Sequence, residues 1–480
     1  MTNPTHNFVT RPSVLAALTP VMLLIGILVA TIAIEGTDNV QEYGSAALLV
    51  SAVVAAVIGL AVYRRPARLL KLGLLKSARQ IIPSFSILLL IGTIAATWML
   101  GGVVPVMIQY GLKLLSPPLF LFVTCSVCAL ISVLTGSSWT TIATIGVAFM
   151  GIGTVLGYSP GWIAGAIISG AYFGDKVSPM SDTTVLASST VGVSLFDHIR
   201  YTMLTSLPAM IVALTVFACV GIFSDVTSEA HSGEMVAALE STFNLTPWVL
   251  IVPAATGILI YKRVNTNIIL GVSSLLGLTS MFVFQPQIAA AVHASPVIAA
   301  LKVIFVSTQV PTSNELLSTL IGTGGMAGML PTLRLVSCAM IFGGVMMGTG
   351  MLTTITRAVS RHLRTPRSIV SATVGSGLLI NSFTGDQYLS IILGGNLYKK
   401  LYVRNGMRRR VLSRALEDSV SATSVLIPWN SCGMTQSTVL GVATVTYFPY
   451  CIFNILSPLM SIFMVWAGYK IMSAPKLKFS

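Results

Sequence analysis

The sequence predicts an all-α polytopic membrane protein built on two inverted-topology repeats, each with a re-entrant hairpin and a broken helix. Three observations lead there. Hydrophobic residues make up 54% of the chain and charged residues 9%, and the mean hydropathy is +0.86; a soluble domain carries roughly a quarter charged residues. Apolar stretches of about 20 residues, long enough to cross a bilayer, recur from Ser13 to Met472. A set of short motifs in the first half returns in the same order in the second.

Val14 to Ile34 is too long for the apolar core of a signal peptide and lacks a small-residue cleavage site, so it reads as a retained span. A span near 45–63 leads to a basic loop, 63–79. A long span (81–115) crosses back, and 117–158 folds as a hairpin that enters and leaves on one side. A broken span near 161–190 ends at "FDHIR". Spans near 203–223, 247–262 and 266–284 follow, and 285–330 reads as an external connection with interfacial helices. A span at 331–356, a second hairpin at 368–403, a broken span at 411–433 and a last span at 446–470 complete about ten crossings and two hairpins.

Net charge is +14, but its distribution excludes a nucleic-acid partner. The basic residues gather in short connections: 63–79, 261–263, 357–367, 404–410 and the terminal "KLK". Segments such as "IEGTDNVQEYG" and "SDVTSEAHSGEMVAALE" are acidic loops. This is the positive-inside bias, which places the chain in the cell (inner) membrane with both termini cytoplasmic. Cys125 and Cys128 form a CxxC inside an apolar arm with no second pair, which points to packing rather than metal or redox chemistry.

The repeat is carried by four matches. Pro83 and Gly102 meet Pro331 and Gly350 at the same spacing; "TGSSWTTI" (135–142) meets "TGDQYLSI" (384–391), and "GDKVS" (174–178) meets "EDSVS" (417–421). The second hairpin is flanked on both sides by basic segments and the first by nearly uncharged ones, so the copies have opposite orientations. The chain reads as one membrane transporter domain, 1–480. Its first repeat is 81–223, its connecting spans and external linker 224–330, and its second repeat 331–472.

Most acidic residues, namely Glu35, Asp38, Glu42, Asp225, Glu229, Glu234, Glu240 and Glu315, fall in external loops of this topology, and Asp197 lies near the inner interface. Asp175, Asp182, Asp386, Glu417 and Asp418 remain within membrane segments. An ionisable group at that depth costs several kcal/mol and persists where it faces a cavity, a partner or an ion. In "GDKVSPMSDTT", Pro179 has no N–H, so the Asp175 carbonyl loses its helical partner and the helix breaks. Exposed carbonyls, the hydroxyls of Ser178, Ser181, Thr183 and Thr184, and two carboxylates form a hard-oxygen set suited to Na⁺, Li⁺ or H⁺. The second copy offers Asp386, Glu417, Asp418, Ser421 and Asn430, and the hairpin tips add Thr135, Ser137 and Thr384. Asp175 and Asp418 are the expected Na⁺-binding carboxylates. Lys176 and Glu417 are read as a counter-ion or as an anchor for an anionic cargo. Trp139 and Tyr388 read as packing aromatics and Arg334 as an interfacial, snorkelling residue. His6, His198, His231, His293 and His362 all fall in termini, loops or interfaces. No nucleophile–base constellation or cofactor motif stands out, so an enzyme is not expected.

At these residues the sequence resembles the NhaC-type sodium/proton antiporter family. "SGAYFGDKVSPMSDTTVLA" resembles its most distinctive motif, and "TGSSWTTIATIGVAFMGIG", "TGDQYLSIILGG" and "ALEDSVSATSVLIPWNSCG" resemble its other blocks in order, over about residues 14–472. One departure is Thr140, where the family pattern has glycine. The resemblance implies an elevator-type secondary active transporter, commonly a homodimer, without cofactor. It implies exchange of Na⁺ (or Li⁺) for H⁺ through competition for intramembrane carboxylates. Because some members resemble exchangers of organic acids or amino acids, the alternative is coupled transport of such a solute on the same scaffold.

Overall fold

The computed structural model describes residues 12–35, 40–224, 229–310, 321–360, 363 and 365–468. Asp38, Asp225, Glu315, His6, His362 and the terminal lysines lie outside the described residues, as do the side chains of Glu35, Glu42, Glu229, Glu234 and His231. Among the described residues the fold is helical, with one isolated bridge between Thr308 and Thr323. Seven stretches are long and apolar enough to cross a membrane, or up to eleven if each bent pair counts as one span.

The chain opens with α1 (Val14–Glu35) and α2 (Val40–Val57), the latter continued by a π-helical turn, Ile58–Val62. The basic segment 63–79, expected as a loop, is helical from Ala67 onward. From Ala67 the chain is rich in leucine, lysine and arginine, good helix formers, and α3 runs Ala67–Leu100 with Gly73 and Pro83 inside it. At about 1.5 Å per residue its 34 residues reach about 50 Å, well beyond a hydrocarbon core of about 30 Å. Arg68, Lys71, Lys76 and Arg79 in its first half are exposed, and the apolar stretch from Phe85 to Leu100 is of membrane character.

The expected long span 81–115 is likewise not continuous. It bends by 66° between α3 and α4 (Val103–Leu114). Gly102 takes φ 79° there, a left-handed conformation that L side chains avoid. Gly350, its counterpart, has φ 77°. It separates α16 (Leu330–Gly348) from α17 (Met351–Ser360).

The first hairpin consists of α5 (Phe120–Thr135), the short α6 (Ser138–Thr141), a π-helical turn Ile142–Gly146 and α7 (Val147–Val155). Its feet meet where the Tyr158 hydroxyl donates to the Pro117 carbonyl (2.9 Å). The helix then breaks where Pro179 predicts, between α8 (Pro160–Val177) and α9 (Asp182–Val191).

Next comes α10 (Leu195–Phe223), which takes in "FDHIR". The acidic segment expected as a loop forms α11 (Glu229–Thr242), whose Glu240 accepts a hydrogen bond from Gln109 (3.0 Å). α12 (Ile251–Tyr261) and α13 (Thr266–Phe284) follow, then the short α14 (Pro286–Val292) and α15 (Pro296–Phe305).

The second hairpin pairs α18 (Pro366–Thr384) with α19 (Gln387–Arg404). α20 (Arg409–Leu416) passes into a π-helical turn, Glu417–Ser421, and a 3-10 turn, Ser424–Leu426, before α21 (Ser431–Leu440). The short α22 (Thr444–Tyr447) and α23 (Ile452–Trp466) end the described fold.

Each hairpin packs beside a broken helix, α5 on α8 and α18 on α20, and the far segments exchange places. α9 packs against α19 and α20 of the second half, while α21 packs against α7 and the π turn of the first.

Candidate functional site

The two hairpin tips are the same local structure made twice. Gly136 and Gly385 end their helices with φ 67° and 65°. Behind each glycine a threonine hydroxyl accepts the next backbone N–H: Ser137 N–H to Thr135 Oγ1 (3.1 Å) and Asp386 N–H to Thr384 Oγ1 (3.4 Å). The same hydroxyls meet Thr141 Oγ1 (3.3 Å) and Ser390 Oγ (2.6 Å). Ser137 Oγ then caps α6 by accepting Thr140 N–H (3.2 Å), as Asp386 Oδ1 caps α19 by accepting Leu389 N–H (2.8 Å). Thr135, Ser137 and Thr384 thus spend hydroxyl bonding on the turns. Thr140, the residue that departs from the family pattern, also donates its hydroxyl to Ser137 (3.0 Å).

At the break in the first half, the orphaned Asp175 carbonyl finds Ser178 N–H (3.3 Å) and the Thr184 hydroxyl (3.4 Å). Thr184 also donates to the Lys176 carbonyl (3.2 Å). Ser178 Oγ donates to the Val133 carbonyl (2.8 Å), which ties the break to the hairpin. The Asp175 carboxylate turns to the hairpin tip, where Oδ2 accepts the Ser138 hydroxyl (2.7 Å) and the Ser138 N–H (3.2 Å). Asp175 is half-buried and Asp182 exposed. Thr183 is buried with its hydroxyl on Ser181 (3.0 Å). Tyr388 lies within electrostatic reach of Asp182, Asp175 and Asp386.

Asp418 sits in different company. Fully buried in the π-helical turn, it forms an ion pair with the buried Lys176. It also accepts from Ser457 Oγ (3.0 Å) and, on both oxygens, from Thr205 Oγ1 (3.2 Å). Lys176 donates to Ser457 as well (2.6 Å). Arg414 Nε lies 3.8 Å from the second Asp418 oxygen, with its guanidinium over the Tyr201 ring at 4.7 Å. The Lys176 ammonium, read from the sequence as a counter-ion or an anchor for an anionic cargo, is paired with the Asp418 carboxylate.

Glu417 is fully buried, and its carboxylate oxygens have no hydrogen-bond partner among the described residues; the same holds for Ser421 Oγ. Lys176, Asp175 and Asp418 are the charged neighbours of Glu417. Asn430 caps α21 through Cys432 N–H (3.0 Å) and donates to Asn381 Oδ1 (2.9 Å), bracing the second break against its hairpin.

Sequence reasoning passed over Ser138, Thr205, Ser457 and Arg414. His198, expected in a loop or interface, is buried with Nδ1 against Ser413 Oγ (2.9 Å). One signal could have found part of this set. Thr202, Thr205 and Ser206 on α10, and Asn454, Ser457 and Ser461 on α23, recur at helical spacing in otherwise apolar helices.

Comparison with known proteins places this geometry in context. The family described as "Na+/H+ antiporter family" matches residues 8–205 and 170–469. The "Na(+)/H(+) antiporter NhaC" of Alkalihalophilus pseudofirmus is 35% identical over 93% of this chain and 95% of its own. The "Malate-2H(+)/Na(+)-lactate antiporter" of Bacillus subtilis is 34% identical over 76% of each chain. The "Arginine/ornithine antiporter ArcD" of Halobacterium salinarum is 30% identical over 80% of this chain and 78% of its own.

Proposed function

Because the chain belongs to the Na⁺/H⁺ antiporter family, we propose that it exchanges Na⁺ or Li⁺ for H⁺ across the membrane, with Asp175 as the carboxylate for which the two ions compete. The observation that carries this is the setting of Asp175. A half-buried carboxylate stands where a hairpin tip meets a helix break, with Ser138 as fixed donor and break carbonyls nearby. A carboxylate in such a site binds either a proton or a small hard cation, and each ion displaces the other. Asp182, Asp386, Ser178 and Thr183 complete the oxygen-rich surroundings. Asp418, already engaged by Lys176, supplies the fixed counter-charge rather than a second free ligand.

The same reading takes the two halves as inverted repeats moving together in elevator fashion, in a homodimer with both termini cytoplasmic. It is supported by the matched tips, the matched left-handed glycines 102 and 350, and the basic connections. An organic acid or amino acid is the second cargo, suggested by what two relatives are named for. Against it stands the commitment of Lys176 to Asp418; the cavity of about 1080 Å³ between α3, α7 and α21 is lined, among the described residues, by uncharged side chains.

The test is ion flux in proteoliposomes under imposed Na⁺ and pH gradients. Asp175→Asn abolishes Na⁺-dependent proton flux while the protein stays folded; normal flux in that variant rejects the assignment. Flux dependent on malate, lactate or an amino acid, and absent with Na⁺ alone, moves the conclusion to the second cargo.

A further inference from the structure

Along α10, His198, Thr202, Thr205 and Ser206 succeed one another at helical spacing, and all are fully buried. Along α23, Asn454, Ser457 and Ser461 do the same. The two helices pack together and enclose the Lys176–Asp418 pair, since Thr205 and Ser457 both donate to Asp418. α20 closes the third side with Ser413 and Arg414.

This seam between apolar spans is polar along its length, yet much of it is unpaired. His198 Nε2, Thr202 Oγ1, Ser206 Oγ, Arg414 Nε, Asn454 Oδ1 and Ser461 Oγ have no hydrogen-bond partner among the described residues. A buried polar atom left unsatisfied costs about 1–3 kcal/mol, and native structures meet such groups with ordered water that takes about three hydrogen bonds. Six such atoms on one interface would be a heavy destabilisation if they served packing alone. Dispersed serines and threonines on spanning helices commonly bond back to their own carbonyls, as Thr205 does to Thr202 (3.0 Å). Thr202, Ser206 and Ser461 do not.

The seam also has a direction. At one end it meets a basic rim, where Arg410 lies over Tyr201 (5.0 Å) and His198 meets Ser413. At the other it reaches the ion pair. We infer that the seam between α10, α20 and α23 holds a file of ordered water molecules that carries protons between the basic rim and the level of the Lys176–Asp418 pair, by a route separate from the Asp175 tip. This rests on the antiport reading above. It adds that the two exchanged ions approach by different paths.

The test separates the ions. Purified protein in proteoliposomes performs two reactions: exchange of radioactive Na⁺ for unlabelled Na⁺, which needs no proton, and Na⁺-driven proton flux. The double variant Thr202→Val, Ser461→Ala replaces two hydroxyls by groups of similar size. The expected result is loss of most Na⁺-driven proton flux with Na⁺–Na⁺ exchange retained, and recovery of proton flux in Thr202→Ser, Ser461→Thr. If both reactions fall together, or neither changes, the water file is rejected. Wild-type protein that exchanges Na⁺ for Na⁺ but never moves protons rejects the antiport reading itself. A high-resolution structure of the wild type gives an independent outcome: waters bonded to Thr202, Ser206 and Ser461 support the file, and a dry seam overturns it.

Discussion

Replacing Lys176 by methionine removes the cationic half of a fully buried ion pair while keeping most of the unbranched side chain. Asp418 then keeps Ser457 at 3.0 Å and Thr205 at 3.2 Å, but its nearest cation becomes Arg414 at 3.8 Å. Breaking a buried pair from one side costs about 3–5 kcal/mol, because an uncompensated charge stays behind. Arg414 offsets part of that, so the lower end, about 3 kcal/mol, is expected. Adding Asp418→Asn removes the stranded charge. The double variant is then more stable than the sum of the single losses by about 2 kcal/mol, within the range of coupling between contacting residues. The assay is reversible unfolding in mixed micelles, with wild type, both single variants and the double variant forming one cycle. A Lys176→Met loss below about 0.5 kcal/mol, the scale of an ordinary surface substitution, or strict additivity in the cycle, refutes the pairing.

Further outcomes follow from the tips and the caps. Gly136→Ala and Gly385→Ala both force a side chain into φ above +60°, at about 1–2 kcal/mol each. Only at Gly136 does the new Cβ also strike backbone, Met180 at 2.6 Å, against 3.1 Å to the nearest atom at Gly385. Gly136→Ala is therefore the more damaging, as read by thermal stability and Na⁺ flux, and the reverse order contradicts the tip geometry. Asp386→Ser keeps the α19 cap, as Ser137 does for α6, whereas Asp386→Ala loses about 1 kcal/mol of helix stability. If Asp386→Ser is as stable as wild type but transports poorly, the charge serves transport; if it transports normally, Asp386 is a cap alone.

What could be read from the sequence was what backbone chemistry dictates. Pro179 broke the helix where it stands, and Thr-Gly pairs marked both tips, because glycine and proline act through the chain itself. The bend at Gly102 was present as a match to Gly350, but a match does not say which φ a glycine adopts. The basic stretch after Pro66 failed as a loop because charge alone does not end a helix. Arginine, lysine and leucine are good helix formers, and the single Gly73 within the stretch costs only about 1 kcal/mol against alanine. The site was harder for a related reason. Serine at 137 and serine at 138 are chemically alike, yet one caps a helix and the other holds Asp175, a choice made by the direction of the tip. Lys176 and Asp418 are far apart in the chain, and neither residue alone announces its partner. Arg414 and His198 sat among charges that bias a reader toward water, while their helices turn them inward.

The crossed seating of α9 and α21 has a mechanical consequence. Each far segment packs into the opposite half, so on the transport reading proposed above neither half would close its site alone, and neither would swing while the other stayed. A motion that turned Asp175 toward one face of the membrane would drag Asp386 and the Lys176–Asp418 pair along with it. The carboxylates would change sides as passengers of a single body, and the strictness of the exchange would come from that shared carriage rather than from a signal passed between them.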